Sequence, residues 1–136
     1  MKPGLRIGQI GELTWIVDPT MTISFGELSQ ATVLSTPAMI LLMERAAREA
    51  LRPVLGADEE SVGVEVHVEH LSPAPLGATV RGFASVDGID GRRVEFSVKA
   101  YHGDREIGRG THRRAVVSVS RLLENVAKLS DKGDWP

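Results

Sequence analysis

The chain has 136 residues, no cysteine and a formal net charge of −2. That length buries one core without staples, and the missing cysteine excludes a disulfide framework, a thiolate metal site and a cysteine nucleophile. Charges mixed along the chain give no basic field for nucleic acid, and the longest apolar run, Pro37 to Met43, is far below the roughly 20 residues of a membrane helix, so the expectation is a soluble, cytoplasmic, small-molecule protein without nucleic-acid or membrane partners.

Residues 1–10, with Pro3, Gly4 and Gly8, read as an irregular arm with no apolar signal core. Glu12 to Asp18 alternates, with Leu13, Trp15 and Val17 on one face, and predicts a strand that ends at Asp18-Pro19. Met21 to Gln30 holds a short β-like piece, Thr22 to Phe25, in a lid-like connection. Ser35 to Leu55 is the one long helical run. It opens with Thr36 as a hydroxyl N-cap and Pro37 behind it, and residues 38–43 are all apolar, so its first turns need wrapping by other elements. After a polar break at residues 56–60, Ser61 to Leu71 places Val62, Val64, Val66, Val68 and then His70 on one face, the face expected to pack on the helix. A proline-containing loop, Ser72 to Gly77, leads to a strand over Ala78 to Val86, with Val80, Ala84 and Val86 facing one way. Turns follow at Asp87-Gly88 and Asp90-Gly91, then a strand from Arg92 to His102 whose Val94, Phe96, Val98 and Ala100 alternate. Gly103-Asp104 signals a hairpin into a last strand, Arg105 to about Ser118. Arg121 to Lys128 can form a short surface helix, and residues 130–136 should fray.

One strand, a buried helix and four more strands joined by short turns imply an α+β fold in which an antiparallel sheet curls around one central helix, the hot-dog architecture, as one domain over residues 1–136 with about 120–136 as a C-terminal tail. A single sheet around one helix leaves an edge and part of the helix uncovered, so association is expected, most simply as a homodimer, with a tetramer as the next step up.

Several residues have both a bland and a chemical reading. Thr36 is a plain helix cap, or a hydroxyl at a helix N-terminus where the Ala38 and Met39 amides could polarise a carbonyl. Glu44 pairs with Arg48 four residues on, or, because the valine face should meet its helix flank, with His70. Eight residues, roughly 12 Å of helix, separate Thr36 from Glu44, too far for a tight pair. His67 has the opposite parity and should point away, while His102 and His112 read as surface residues. Arg105, Arg109, Arg113 and Arg114 read as edge-strand charges, with contact to an anionic ligand as the alternative. No Gly-rich phosphate motif and no metal-ligand constellation is present, so no cofactor and no metal is expected.

The chain resembles the hot-dog thioesterases related to fluoroacetyl-CoA thioesterase over nearly its whole length, up to about Val119. The likeness is carried by the Met1-Lys2-x-Gly4-x-Arg6-x-Gly8 start, by Ala31 to Glu44 with Thr36 and Leu42-Met43-Glu44, and by Gly63, the His70 strand and Pro75-x-Gly77. It closes with Glu106-Ile107-Gly108-x-Gly110-Thr111-His112-x-Arg114-Ala115-Val116. The resemblance implies hydrolysis of an acyl-CoA substrate. It puts the family's catalytic threonine, glutamate and histidine on Thr36, Glu44 and His70, its backbone-donor glycine on Gly63 and its site arginine on Arg114. The position matching the family's lid aromatic, near Gln30, is not aromatic, so a short acyl group other than fluoroacetyl is implied. The expected reaction has Glu44 and His70 as the reacting pair and Thr36 as an orienting hydroxyl. The alternative from another class is a hot-dog protein that binds an acyl-CoA or similar ligand without turning it over.

Overall fold

The computed structural model describes residues 1–25 and 32–129. These described residues form seven strands and two α-helices: β1 Ile10–Ile16, β2 Thr22–Ser24, β3 Thr32–Leu34, α1 Thr36–Leu51, β4 Glu59–His70, β5 Thr79–Asp90, β6 Arg93–His102, β7 Arg105–Ser118 and α2 Val119–Ala127. Five strands make one antiparallel sheet in the order β1-β5-β6-β7-β4, and β2 with β3 makes a small separate ribbon. This is the hot-dog arrangement expected from the strand–helix–strand pattern. The segment around Gln30 lies outside the described residues, as does the expected fraying of residues 130–136. Among the described residues no helix is long and apolar enough to cross a membrane.

The core forms where the helical and strand periods meet. Met39, Leu42, Met43, Ala46, Ala47, Ala50 and Leu51 recur at three- and four-residue steps and form the buried stripe of α1. Against them lie the inward residues of the sheet, including Val80, Ala84, Val94, Phe96, Val98 and Ala100, all buried as their alternation predicts. The helix sits close because small residues face it. A Cβ on Gly82 would lie 2.7 Å from Leu42 Cγ, so a larger residue there would force helix and sheet apart.

Four expectations are corrected. Ser35, not Thr36, is the N-cap: its hydroxyl accepts from the Ala38 amide at 3.2 Å, and Thr36 is the first helical residue. The valine face of β4 is not continuous, because the register against β7 shifts between Gly63 and Glu65. Val64 is the extra residue of this bulge and is 47% exposed. Before it, Ser61 and Gly63 pair with the inward Val116 and Arg114; after it, Val66, Val68 and His70 pair with the inward His112, Gly110 and Gly108. One inserted residue thus exchanges the parity, so that Gly63 and His70 both face the helix side. The Asp87-Gly88 turn is likewise a bulge, inside a strand that runs on to Asp90, and the chain reverses only at Gly91. Finally, β7 is not an edge. It lies between β6 and β4, and the open edges belong to β1 and β4.

Candidate active site

Two clusters of chemically active side chains flank α1, one at its start and one two turns further on. At the start, the Ser35 cap leaves the hydroxyl of Thr36 free to turn toward the sheet. The end of β4 brings His70 to meet it, with Thr36 Oγ1 2.8 Å from His70 Nδ1. The second ring nitrogen, Nε2, is buried and has no hydrogen-bond partner among the described residues. The helix amides do not add an anion site there as expected. Ala38 N–H is held by the Ser35 hydroxyl, and Met39 N–H donates to the Ser35 carbonyl at 3.0 Å.

The second cluster is a hollow between α1 and β4, lined by Leu41, Glu44, Arg48, Ser61, Gly63 and Arg114. Arg48 does not pair with Glu44. It forks onto Glu60, with Nε to Oε1 at 3.2 Å and Nη2 to Oε2 at 2.7 Å, and this contact holds the Glu60 carboxyl at about 2, well below its usual range. The bland explanation of Glu44 therefore loses its partner. Gly63 has no positive φ, so space and not backbone geometry makes glycine fitting there. A Cβ at that position would sit 3.6 Å from Glu44 Oε2, 3.6 Å from Arg114 Nη1 and 3.1 Å from His112 Cε1. Carboxylate and guanidinium thus share one open point above the glycine.

Arg114 is only 5% exposed, and His112 3%. Both readings of these residues as surface or edge groups are overturned, because β7 is internal and residues 112, 114 and 116 share its inward parity. Arg114 Nε donates to Ser61 Oγ at 2.8 Å and Nη2 to the Ser61 carbonyl at 2.8 Å. Burial lowers the pKa of both Arg114 and His112. For Arg114 the Glu44 carboxylate opposes that effect, ahead of Glu60. His67 points away as expected, exposed and 3.4 Å from Glu65 Oε1.

The structure therefore brings Thr36 to His70, and Glu44 to Gly63 and Arg114. Within one chain it does not bring Glu44 to His70: His70 is absent from the lining of the Glu44 hollow and its Nδ1 faces Thr36. Sequence reasoning missed Ser61 and His112. The available signal was parity, since His112 and Arg114 alternate with the apolar Val116 on one face of β7.

The family of fluoroacetyl-CoA-specific thioesterases (FlK) matches residues 17–120. The fluoroacetyl-CoA thioesterase of Streptantibioticus cattleyicolor is 33% identical over 98% of this chain and 100% of its own. A solved structure of the fluoroacetyl-CoA thioesterase FlK is 32% identical, covers 94% of this chain and 99% of that one, and superposes with a TM-score of 0.85. A hypothetical protein of Thermus thermophilus, a thioesterase superfamily member, is 30% identical over 94% of both chains with a TM-score of 0.83. With fold, motif spacing and near-complete coverage in agreement, this chain belongs to the fluoroacetyl-CoA-specific thioesterase family, a hot-dog family of thioester hydrolases.

Proposed function

We propose that this chain is an acyl-CoA thioesterase that hydrolyses a short-chain acyl-CoA to the free acid and CoA, in an active site shared between two copies. The observation that carries the reading is the 2.8 Å contact between Thr36 Oγ1 and His70 Nδ1 in a chain of this family. A Thr36 hydroxyl donating to Nδ1 leaves the proton of the neutral ring on Nε2. His70 Nε2–H is then oriented as a hydrogen-bond donor to the reacting atoms, with Thr36 as the orienting hydroxyl.

Glu44 completes the pair from a second copy. Gly63 and His70 are seven residues apart on β4, roughly 23 Å at strand spacing. Antiparallel pairing of two β4 edges about a two-fold axis midway along that stretch sets one copy's Gly63 and Glu44 against the other's His70 and Thr36. Leu41, 42% exposed, and Val64, 47% exposed, are apolar residues on this side that such a homodimer would cover. Glu44 takes a proton from water as its oxygen adds to the thioester carbonyl carbon. The oxyanion is held beside Gly63 and Arg114. Collapse breaks the C–S bond, and the proton taken up by Glu44 passes to the departing sulfur, which restores the carboxylate while the neutral His70 ring donates a hydrogen bond from Nε2–H and keeps its proton.

The test is turnover of a thioester panel that includes acetyl-, propionyl-, fluoroacetyl- and long-chain acyl-CoA. Hydrolysis of the short members supports the reading, whereas tight binding of CoA esters with no turnover would establish the non-catalytic binding protein instead. Mixing Thr36→Ala with Glu44→Ala protein tests the shared site. Random exchange rebuilds one intact site in the mixed dimers, about a quarter of wild-type activity, while a site confined to one chain recovers none.

A further inference from the structure

Buried guanidinium groups need acceptors for their N–H bonds, and the usual solution is a carboxylate that also cancels the charge. Arg114 is buried without one among its hydrogen-bond partners: these are the hydroxyl and carbonyl oxygens of Ser61 and, from Nη1, His112 Nε2 at 3.2 Å. Arginine can only donate, so His112 Nε2 accepts. The ring proton then lies on Nδ1, which donates to the Glu65 carbonyl at 2.9 Å beside the β4 bulge. The ring plane is fixed by stacking on Phe96, with centroids 6.2 Å apart and 29° between planes. An imidazole in this state satisfies an N–H of Arg114 without neutralising it, which a carboxylate could not do. Burial and the neighbouring guanidinium both lower the pKa of His112 and keep it in this state.

Three of the five N–H bonds of Arg114 are thereby used, and one remains on each of Nη1 and Nη2. Nη1 is the nitrogen that shares the open point above Gly63 with Glu44 Oε2. We propose that His112 is a positioning residue for the hydrolysis: it clamps Arg114 through Nη1 so that a guanidinium with no carboxylate among its hydrogen-bond partners, and with its remaining N–H bonds, faces the Glu44 carboxylate and the reacting carbonyl. The inference rests on the thioesterase reading for its kinetic consequence, but not for the tautomer or the clamp.

Three variants separate the clamp from bulk packing. His112→Gln can restore an acceptor near the Nε2 position, His112→Asn can restore only the donor near Nδ1, and His112→Phe keeps the stacked ring with neither. The expected result is a kcat loss of about tenfold or more for Asn and Phe with KM within about threefold, and recovery to within about threefold of wild-type kcat in Gln, as an interaction made mainly in the transition state requires. Equal losses in all three variants, or losses only in thermal stability, would overturn the proposal. Nitrogen-15 NMR of the wild-type ring gives a readout independent of turnover and of variant folding. A neutral ring protonated at Nδ1 near pH 7 supports the clamp, and one protonated at Nε2 removes it whether or not the protein hydrolyses thioesters. A wild type inactive on the thioester panel but with the Nδ1 tautomer would sink the functional reading and leave the clamp standing.

Discussion

The two ends of the site solve opposite problems. At the start of α1, an exposed threonine and a half-buried histidine form one contact, with a ring nitrogen left over. Between α1 and β4, a buried arginine is tied by three contacts to Ser61 and His112, while Glu44 stands opposite with none of them. The first end can change its hydrogen bonds during a reaction at little cost, because Thr36 is exposed and the buried His70 Nε2 has no partner to lose. The second cannot, because any donor or acceptor it loses stays buried and unpaired. A hydroxyl and a ring that must meet a substrate suit the first environment, and the fixed field of a clamped arginine suits the second.

The contrast predicts which substitutions strike activity and which strike the fold. The largest effects should be catalytic: Glu44→Ala and His70→Ala each lose at least about 10²-fold in thioester hydrolysis with unchanged circular dichroism, while His67→Ala stays within about twofold. Equal losses at His67 and His70 would mean that the bulge at Val64 does not set the register as described. Next comes Arg114→Ala, which strands the buried oxygens of Ser61 and the acceptor of His112. Urea denaturation should show a loss of about 2 kcal/mol, part of the cost being offset by relief of a buried charge. Thr36→Ala, at the exposed end, should cost less than about 0.5 kcal/mol while lowering turnover. A large stability loss at Thr36 with none at Arg114 would reverse the comparison.

Smaller effects sharpen it. Ser35→Ala should destabilise by about 1 kcal/mol, since Ser35 and not Thr36 supplies the cap, and the two thermal melts side by side decide that point. The Arg48–Glu60 pair should show in pH dependence. The Glu60 carboxyl is held at about 2 against an ordinary value of 4.5, so its contribution is complete above about pH 4.5 and lost as the pH falls toward 2. Glu60 is about one-third exposed, 35% by side chain, so solvent screening keeps the effect below about 1 kcal/mol. Glu60→Gln should therefore melt slightly below wild type at pH 7 and converge with it near pH 2, and a gap that widens in acid would contradict the pairing.

The sequence by itself determined the order of the five sheet strands and the central helix and the inward faces of β1, β5 and β6, while Thr36, Glu44 and His70 were singled out as a set by the resemblance and the short strand β3 was not foreseen. The elements and their faces follow from local period: alternation along Leu13-x-Trp15-x-Val17 or Val94-x-Phe96-x-Val98, and the three-to-four step from Met39 to Leu51, are set by backbone geometry that every residue of the element shares. Tertiary structure alone decided the pairings. Whether Ser35 or Thr36 caps the helix depends on a one-residue choice between two hydroxyls, and both fit the local signal. The place of β7 in the sheet depends on which strand lies across it, which turned His112 and Arg114 from apparent surface charges into buried ones. Above all, the bulge at Val64 is invisible in a run that alternates without a break from Val62 to Val68, because a bulge is a mismatch between two strands and not a property of one. It is that mismatch which lets Gly63 and His70, of opposite parity in the sequence, look toward the same side.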